Sequence, residues 1–209
     1  MISASLVLAL IRERKTERIY RGLSLRDLDA NFRLFLLLSA VFAVGNFSYS
    51  FLLKYAERQG FQETLVPVLY LLFTVVASSM SLPFGRAADR LGRIPILALA
   101  YFLFGLMCLG FASTNSMYIT LVLFVLYGLH RAAIEPVQKT LVSELTPARY
   151  RASTLGAFQM ITGLASLPAS IIAGLLWESI GPWAPFTLSL LLTASSLALL
   201  TLVREKNRA

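Results

Sequence analysis

The chain has 209 residues, of which 57% are hydrophobic and only 14% charged, and its mean hydropathy is +0.71. A soluble domain is about 45–50% apolar and about 25% charged, so water is excluded as the solvent for most of this surface and a lipid bilayer is implied. The net charge of +8 would suggest nucleic acid in a soluble chain; here the basic residues flank apolar runs and set membrane topology, so no nucleic-acid partner is expected.

The first apolar stretch, Ile2 to Ile11, carries no charge. It falls short of the ~20 residues a spanning helix needs. Basic residues follow it rather than precede it, which argues against a signal peptide. It reads as the remnant of a preceding transmembrane helix over residues 1–11. Residues 12–33 then form a polar linker with seven basic and four acidic residues. Within it Ser24-Leu25-Arg26-Asp27 has capping-box form, and Leu25, Leu28 and Phe32 follow at helical spacing. A short interfacial helix leading into the bilayer is expected there.

Six spans follow: Leu34–Leu53, Leu65–Phe84, Ile94–Phe111, Met117–Val142, Leu155–Trp177 and Trp183–Val203. They make residues 34–203 a six-helix unit, with 204–209 as a tail. The positive-inside rule orients it. With the linker in the cytoplasm, Arg86, Arg90, Arg93, Arg149, Arg151, Arg204, Lys206 and Arg208 share its side, while the outer loops hold only Lys54 and Arg58. Both termini are then cytoplasmic, in a multi-pass protein of the cell membrane.

Two stretches repeat a pattern. Gly85-Arg86-Ala87-Ala88-Asp89-Arg90-Leu91-Gly92 follows the second span as a loop, and Gly174-Leu175-Leu176-Trp177-Glu178-Ser179-Ile180-Gly181 follows the fifth. Both fit Gly-x3-acid-x2-Gly, and only the first carries basic residues. Two three-helix repeats of opposite orientation, 34–111 and 117–203, would give this pattern, an arrangement found in transporters. Coincidence between two glycine-bounded turns is the alternative, since glycine suits tight turns in any case.

The stretch Gly85 to Arg93 resembles the cytoplasmic loop signature of the major facilitator superfamily, Gly-x-x-x-Asp-Arg-x-Gly-Arg followed by a basic residue; Ile94 stands at that last position. Leu145-Thr146-Pro147, Arg151, Leu155-Gly156 and the turn Trp177-Glu178-x-x-Gly181-Pro182 are similar to the family's second half. The resemblance runs from Leu34 to the C-terminus, and it implies an all-α membrane protein, half of a twelve-helix fold, matching helices seven to twelve. It further implies that Gly85, Asp89, Arg90, Gly92 and Arg93 form a charge-assisted cytoplasmic gate. The alternative is that these arginines only anchor topology.

Inside the fourth span Tyr127, Arg131, Glu135 and Lys139 recur every four residues and share one helix face. Charge at the bilayer centre costs at least ~2.5–3.5 kcal/mol, so such residues normally face a bundle interior or a wet cavity. Arg131 is expected to meet an anionic or polar group of a substrate or to form a switchable pair with Glu135, and Glu135 is a candidate proton carrier. The alternative is a permanent ion pair. Lys139 reads as an interfacial snorkeller, and His130 as a packing or hydrogen-bonded residue rather than a relay. Asn46, Ser48 and Tyr49 are the polar residues of the first span; Asn46 and Tyr49, with Tyr127, join Arg131 and Glu135 as cavity candidates. Thr162, Ser166, Ser170 and Gly174 form a small-residue stripe expected to pack closely, and Pro168 is expected to bend its helix.

The function expected is secondary active transport of a small solute by alternating access, with a proton as candidate coupling ion. The implied partners are the bilayer, the solute, and a missing N-terminal six-helix half or a second copy of the chain. A six-helix protein that homodimerises, or a non-transporting membrane remnant that binds a partner, are the alternatives. One histidine, one cysteine (Cys108) and no clustered aspartates speak against an intramembrane enzyme. There is no Gly-x4-Gly-Lys-Ser/Thr loop, so no ATP motor, and neither cofactor nor metal is expected.

Overall fold

The computed structural model describes residues 29–114 and 116–204, so the expected helix remnant over 1–11 and most of the linker lie outside the described residues. Among these, all regular structure is helical. The elements are α1 (Ala30–Gly45), α2 (Ser50–Arg58), α3 (Val66–Leu91), α4 (Arg93–Ser113), α5 (Met117–Glu144), α6 (Arg151–Ser179) and α7 (Ala184–Leu200). Single 3-10 turns, Glu63–Leu65 and Ala148–Tyr150, lead into α3 and α6. Helix is what lipid demands, because a spanning segment must satisfy its backbone internally. Five stretches are long and apolar enough to cross a membrane: α1 with α2, α3 with its 3-10 turn, α4, α5, and α6 with its 3-10 turn. The apolar α7 is shorter, at 17 residues.

The core lies where α4 and α5 pack together, with α3 against α5, α7 against α4 and α1, and α6 against α1. Rings fill it. Phe42 sits 4.6 Å from Tyr101 and 5.2 Å from Phe104, and Phe111 stacks on Phe186 at 5.0 Å. Such ring pairs add about 0.5–1.5 kcal/mol each beyond the area they bury. Half of the apolar windows of α4 and α5 is buried, against 11% for α3 and 17% for α6. These last two therefore flank the bundle and present most of their surface outward. Gly128 permits the close approach of α3 to α5, since a Cβ there would stand 2.7 Å from the Phe73 carbonyl oxygen.

Two features depart from the sequence reading, and a third adds to it. The first span is not one helix. It breaks at Asn46–Tyr49, between α1 and α2. The break leaves the Gly45 carbonyl without its helical partner, and the hydroxyl of Ser189 on α7 donates to it from the buried interface. A second α7 hydroxyl, Ser196, donates to Leu38 O at 3.2 Å. Secondly, the expected loop from Gly85 to Gly92 is mostly helix. α3 continues to Leu91, and Gly92 alone separates it from α4. Gly92 has φ 104° and ψ 160°, a conformation nearly confined to glycine. The corresponding Gly181 also has positive φ, 144°, between α6 and α7. Thirdly, Asn31 and Arg204 exchange two hydrogen bonds, side chain to backbone, which tie the start of α1 to the segment after α7.

Replacing Gly92 with alanine is expected to cost about 1–3 kcal/mol, and Gly128→Ala a similar amount through overpacking. Gly85→Ala, where an added Cβ meets nothing within 4 Å, leaves stability unlowered. Thermal unfolding of the three purified variants in one detergent checks the order; equal melting points would refute it.

Candidate functional site

The polar stripe of α5 is the centre of the site. Arg131 and Glu135, one turn apart, form a direct ion pair from Nη2 to Oε1, and their side chains keep 39% and 49% exposure. The pair is therefore neither sealed in the core nor lost to the surface. Two clefts flank it, and both residues line both. The first, of about 340 Å³, lies between α5 and α3 and includes Tyr49, Tyr70, Phe73 and Ser78. The second, of about 400 Å³, lies between α5, α1 and α6 and includes Asn46, Gln138, Lys139 and Gln159. Among the residues lining the two clefts, Glu135 is the one carboxylate.

The helix break places two expected cavity residues. Asn46 reaches the second cleft and Tyr49 the first. Tyr127 behaves differently. It is 2% exposed, packs edge-on to Phe73 at 5.1 Å, and lines neither cleft. Pro136 lies inside α5, one residue past Glu135. Lacking an N–H, it cannot bond the Ala132 carbonyl, and both residues line the first cleft.

His130 is fully buried, with Nδ1 2.8 Å from Ala100 O on α4 and its ring 4.8 Å from Phe104. It joins α5 to α4 away from the clefts. On α6, Thr162, Gly163 and Ser166 line the second cleft. The two hydroxyls donate to carbonyls of their own helix, Phe158 at 2.9 Å and Gly163 at 2.7 Å. Part of the expected packing stripe is thus a polar cleft wall. The remaining stripe members, Ser170 and Gly174, are half-buried.

A second set of charges lies at the α3–α4 junction. Arg93, 7% exposed, opens α4. Its Nη1 bonds Asp89 Oδ1 at 2.6 Å, and its Nη2 and Nε bond Glu144 Oε1 at 3.0 and 3.2 Å. One guanidinium thereby connects the ends of α3, α4 and α5 with charge-assisted bonds, the stronger kind. The Asp89 side chain is 65% exposed, and Arg90 is exposed as well. Gly92 turns the chain there, while Gly85 is an ordinary position within α3. Glu144 is a residue that the sequence motifs do not pick out. Its place at the end of a span on the same side as the Asp89 stretch was the available signal.

The sequence model of the Major Facilitator Superfamily matches residues 34–209. The chain is 38% identical over 160 residues to an uncharacterised MFS-type transporter of Methanocaldococcus jannaschii, covering 74% of this chain and 40% of that one. It is 27% identical over 121 residues to an uncharacterised MFS-type transporter of Bacillus subtilis, covering 56% of this chain and 30% of that one. The chain thus spans well under half the length of these relatives. With five bilayer-length apolar stretches, an all-helical fold among the described residues and a family match from Leu34 onward, it is a multi-pass membrane protein that belongs to the Major Facilitator Superfamily.

Proposed function

We propose that this chain is the C-terminal six-helix half of a secondary transporter for a small solute, working by alternating access, and that the Arg131–Glu135 pair lies in its solute cavity. The carrying observation is the open, polar position of that pair. A face bearing Arg131, Glu135, Gln138, Lys139, Gln159 and Ser78 is costly against hydrocarbon. It suits a water-filled cavity closed by a second six-helix unit. The relatives' greater length supports such a unit within the same polypeptide. Homodimerisation would cover the same face. Gly92 and Gly181, both at positive φ between consecutive helices, support the two inverted repeats.

The Asp89–Arg93–Glu144 cluster supports the gate role of the glycine-flanked stretch. Its exposed carboxylate and Arg90 stand at the α3 terminus, where a facing half on the cytoplasmic side would meet them. Coupling to protons, if the carrier uses it, runs through Glu135.

Cysteine accessibility tests the cavity. Single cysteines at Ser78 and Gln159 should react with a water-soluble maleimide in intact membranes. Cysteines at Leu106 and Leu109, exposed on α4, should not, because lipid covers them. Buried Cys108 gives little background. Equal reactivity at all four positions would refute the assignment.

In a complete carrier, Asp89→Asn should slow transport while leaving membrane insertion intact, and wild-type flux in that variant removes the gate role. Glu135→Gln should abolish any dependence of uptake on an imposed proton gradient; an unchanged dependence takes Glu135 out of the coupling.

A further inference from the structure

The two clefts differ in chemistry although they share one ion pair. In the first, Tyr49, Tyr70 and Phe73 form a three-ring cluster, with centroids 5.5, 5.8 and 5.1 Å apart. Tyr49 and Tyr70 are 40% and 44% exposed, so the cluster offers ring surface to a ligand. Glu135 lines the same space. Aromatic surface beside a carboxylate is the chemistry that holds an organic ammonium group. The second cleft has a single ring, Phe42, which is buried. It offers the amide groups of Gln138 and Gln159 and the ammonium of Lys139 beside Arg131, which is the chemistry that holds a carboxylate.

We propose that the clefts together bind a small zwitterion carrying an organic cation and a carboxylate, with the cation against Tyr49, Tyr70, Phe73 and Glu135 and the carboxylate on Arg131. This deepens, and rests on, the reading of the clefts as a solute cavity. The ion pair decides the class. A simple anion that takes Arg131 leaves Glu135 without its partner, and a simple cation on Glu135 leaves Arg131 without its own. Each charge gives up a direct, charge-assisted contact when the pair opens, and only a ligand that brings both charges replaces both contacts. A zwitterion opens the pair and satisfies both ends, so no charge is left alone. The ligand is its own counter-ion, and the Arg131–Glu135 contact is the stand-in that keeps the pair itself neutral in the empty site, with Lys139 as the remaining cation of the second cleft.

The test is equilibrium binding to the purified full chain in phosphatidylglycerol nanodiscs, with glycine betaine and leucine as zwitterions and tetramethylammonium and acetate as their charged halves. At least one zwitterion should bind roughly tenfold more tightly than either half, the step that corresponds to one extra satisfied charge. Arg131→Gln and Glu135→Gln should each abolish that advantage, while Arg131→Lys and Glu135→Asp, which keep the charges, retain it. Tyr70→Leu should weaken zwitterion and tetramethylammonium alike and leave acetate unchanged. Binding of neither zwitterion overturns the proposal, as does tetramethylammonium or acetate binding as tightly as the tighter of the two zwitterions. Loss of the zwitterion signal in phosphatidylcholine nanodiscs would reassign the site to a lipid headgroup and overturn it for soluble solutes. Maleimide labelling at Ser78 and Gln159 separates the two levels: labelling without zwitterion binding keeps the cavity and rejects this ligand class.

Discussion

Hydrocarbon offers no hydrogen bonds, and that one constraint accounts for most of what the chain does. Most polar groups inside the membrane find a partner within the protein, with His130 Nε2, Thr154 Oγ1 and Thr193 Oγ1 as buried exceptions among the described residues. Hydroxyls along the helices turn back onto carbonyls of the preceding turn: Thr74 to Tyr70, Ser113 to Leu109, Thr140 to Pro136, Thr162 to Phe158. Where α1 breaks, Ser189 supplies the donor that the next turn would have given. The lone histidine is tied to a backbone carbonyl and ringed by aromatic side chains. Charges obey the same rule. Arg131 has Glu135, and Arg93 has both Asp89 and Glu144.

The two charge clusters occupy opposite extremes of environment. Arg93 is nearly buried and locks three helix ends through one guanidinium, whose planar fork can serve two carboxylates at once. Arg131 keeps well over a third of its side-chain surface open, between two clefts. A buried, doubly bonded arginine resists rearrangement, because breaking it strands a charge. An open pair can exchange partners. On the function proposed above, this difference suits Arg93 to hold the helix ends while exposed Asp89 and Arg90 face the gate, and suits Arg131–Glu135 to exchange partners, although both are arginine–carboxylate contacts.

Much of this is legible in the sequence. The apolar runs stand out because lipid selects for them over some twenty residues at a time, and the spacing of Arg131 and Glu135 puts them on adjacent turns of one helix. The break at Asn46–Tyr49 is not legible, because four residues within an apolar run hardly change its hydropathy, and the Ser189 bond that stabilises it comes from 144 positions away. Hydropathy also ends the second span at Phe84, whereas α3 continues to Leu91. Polar residues leave the hydrocarbon without leaving the helix. Glu144 escapes notice for a similar reason: its partner Arg93 lies 51 residues upstream, and only the folded α4–α5 packing joins them. Tyr127 is placed differently from the rest of the stripe and lines neither cleft. It shares the periodicity of the charged stripe, but α3 packs over it.

The interruption in the first span has a mechanical side. It divides the span into a long arm of 16 residues, α1, held by α7, and a short arm of nine, α2. At 1.5 Å per residue the short arm is roughly 13 Å long, so a swing of about 10° at the break carries its tip about 2 Å. That tip holds Tyr55 and Arg58, which line a cavity of about 520 Å³ with Trp183 at the end of the bundle far from Arg93. The fulcrum itself carries Asn46 and Tyr49, one in each cleft. On the function proposed above, a change of angle at the break would be felt at the far end of α2, where the buried Tyr55 donates to the Thr114 carbonyl.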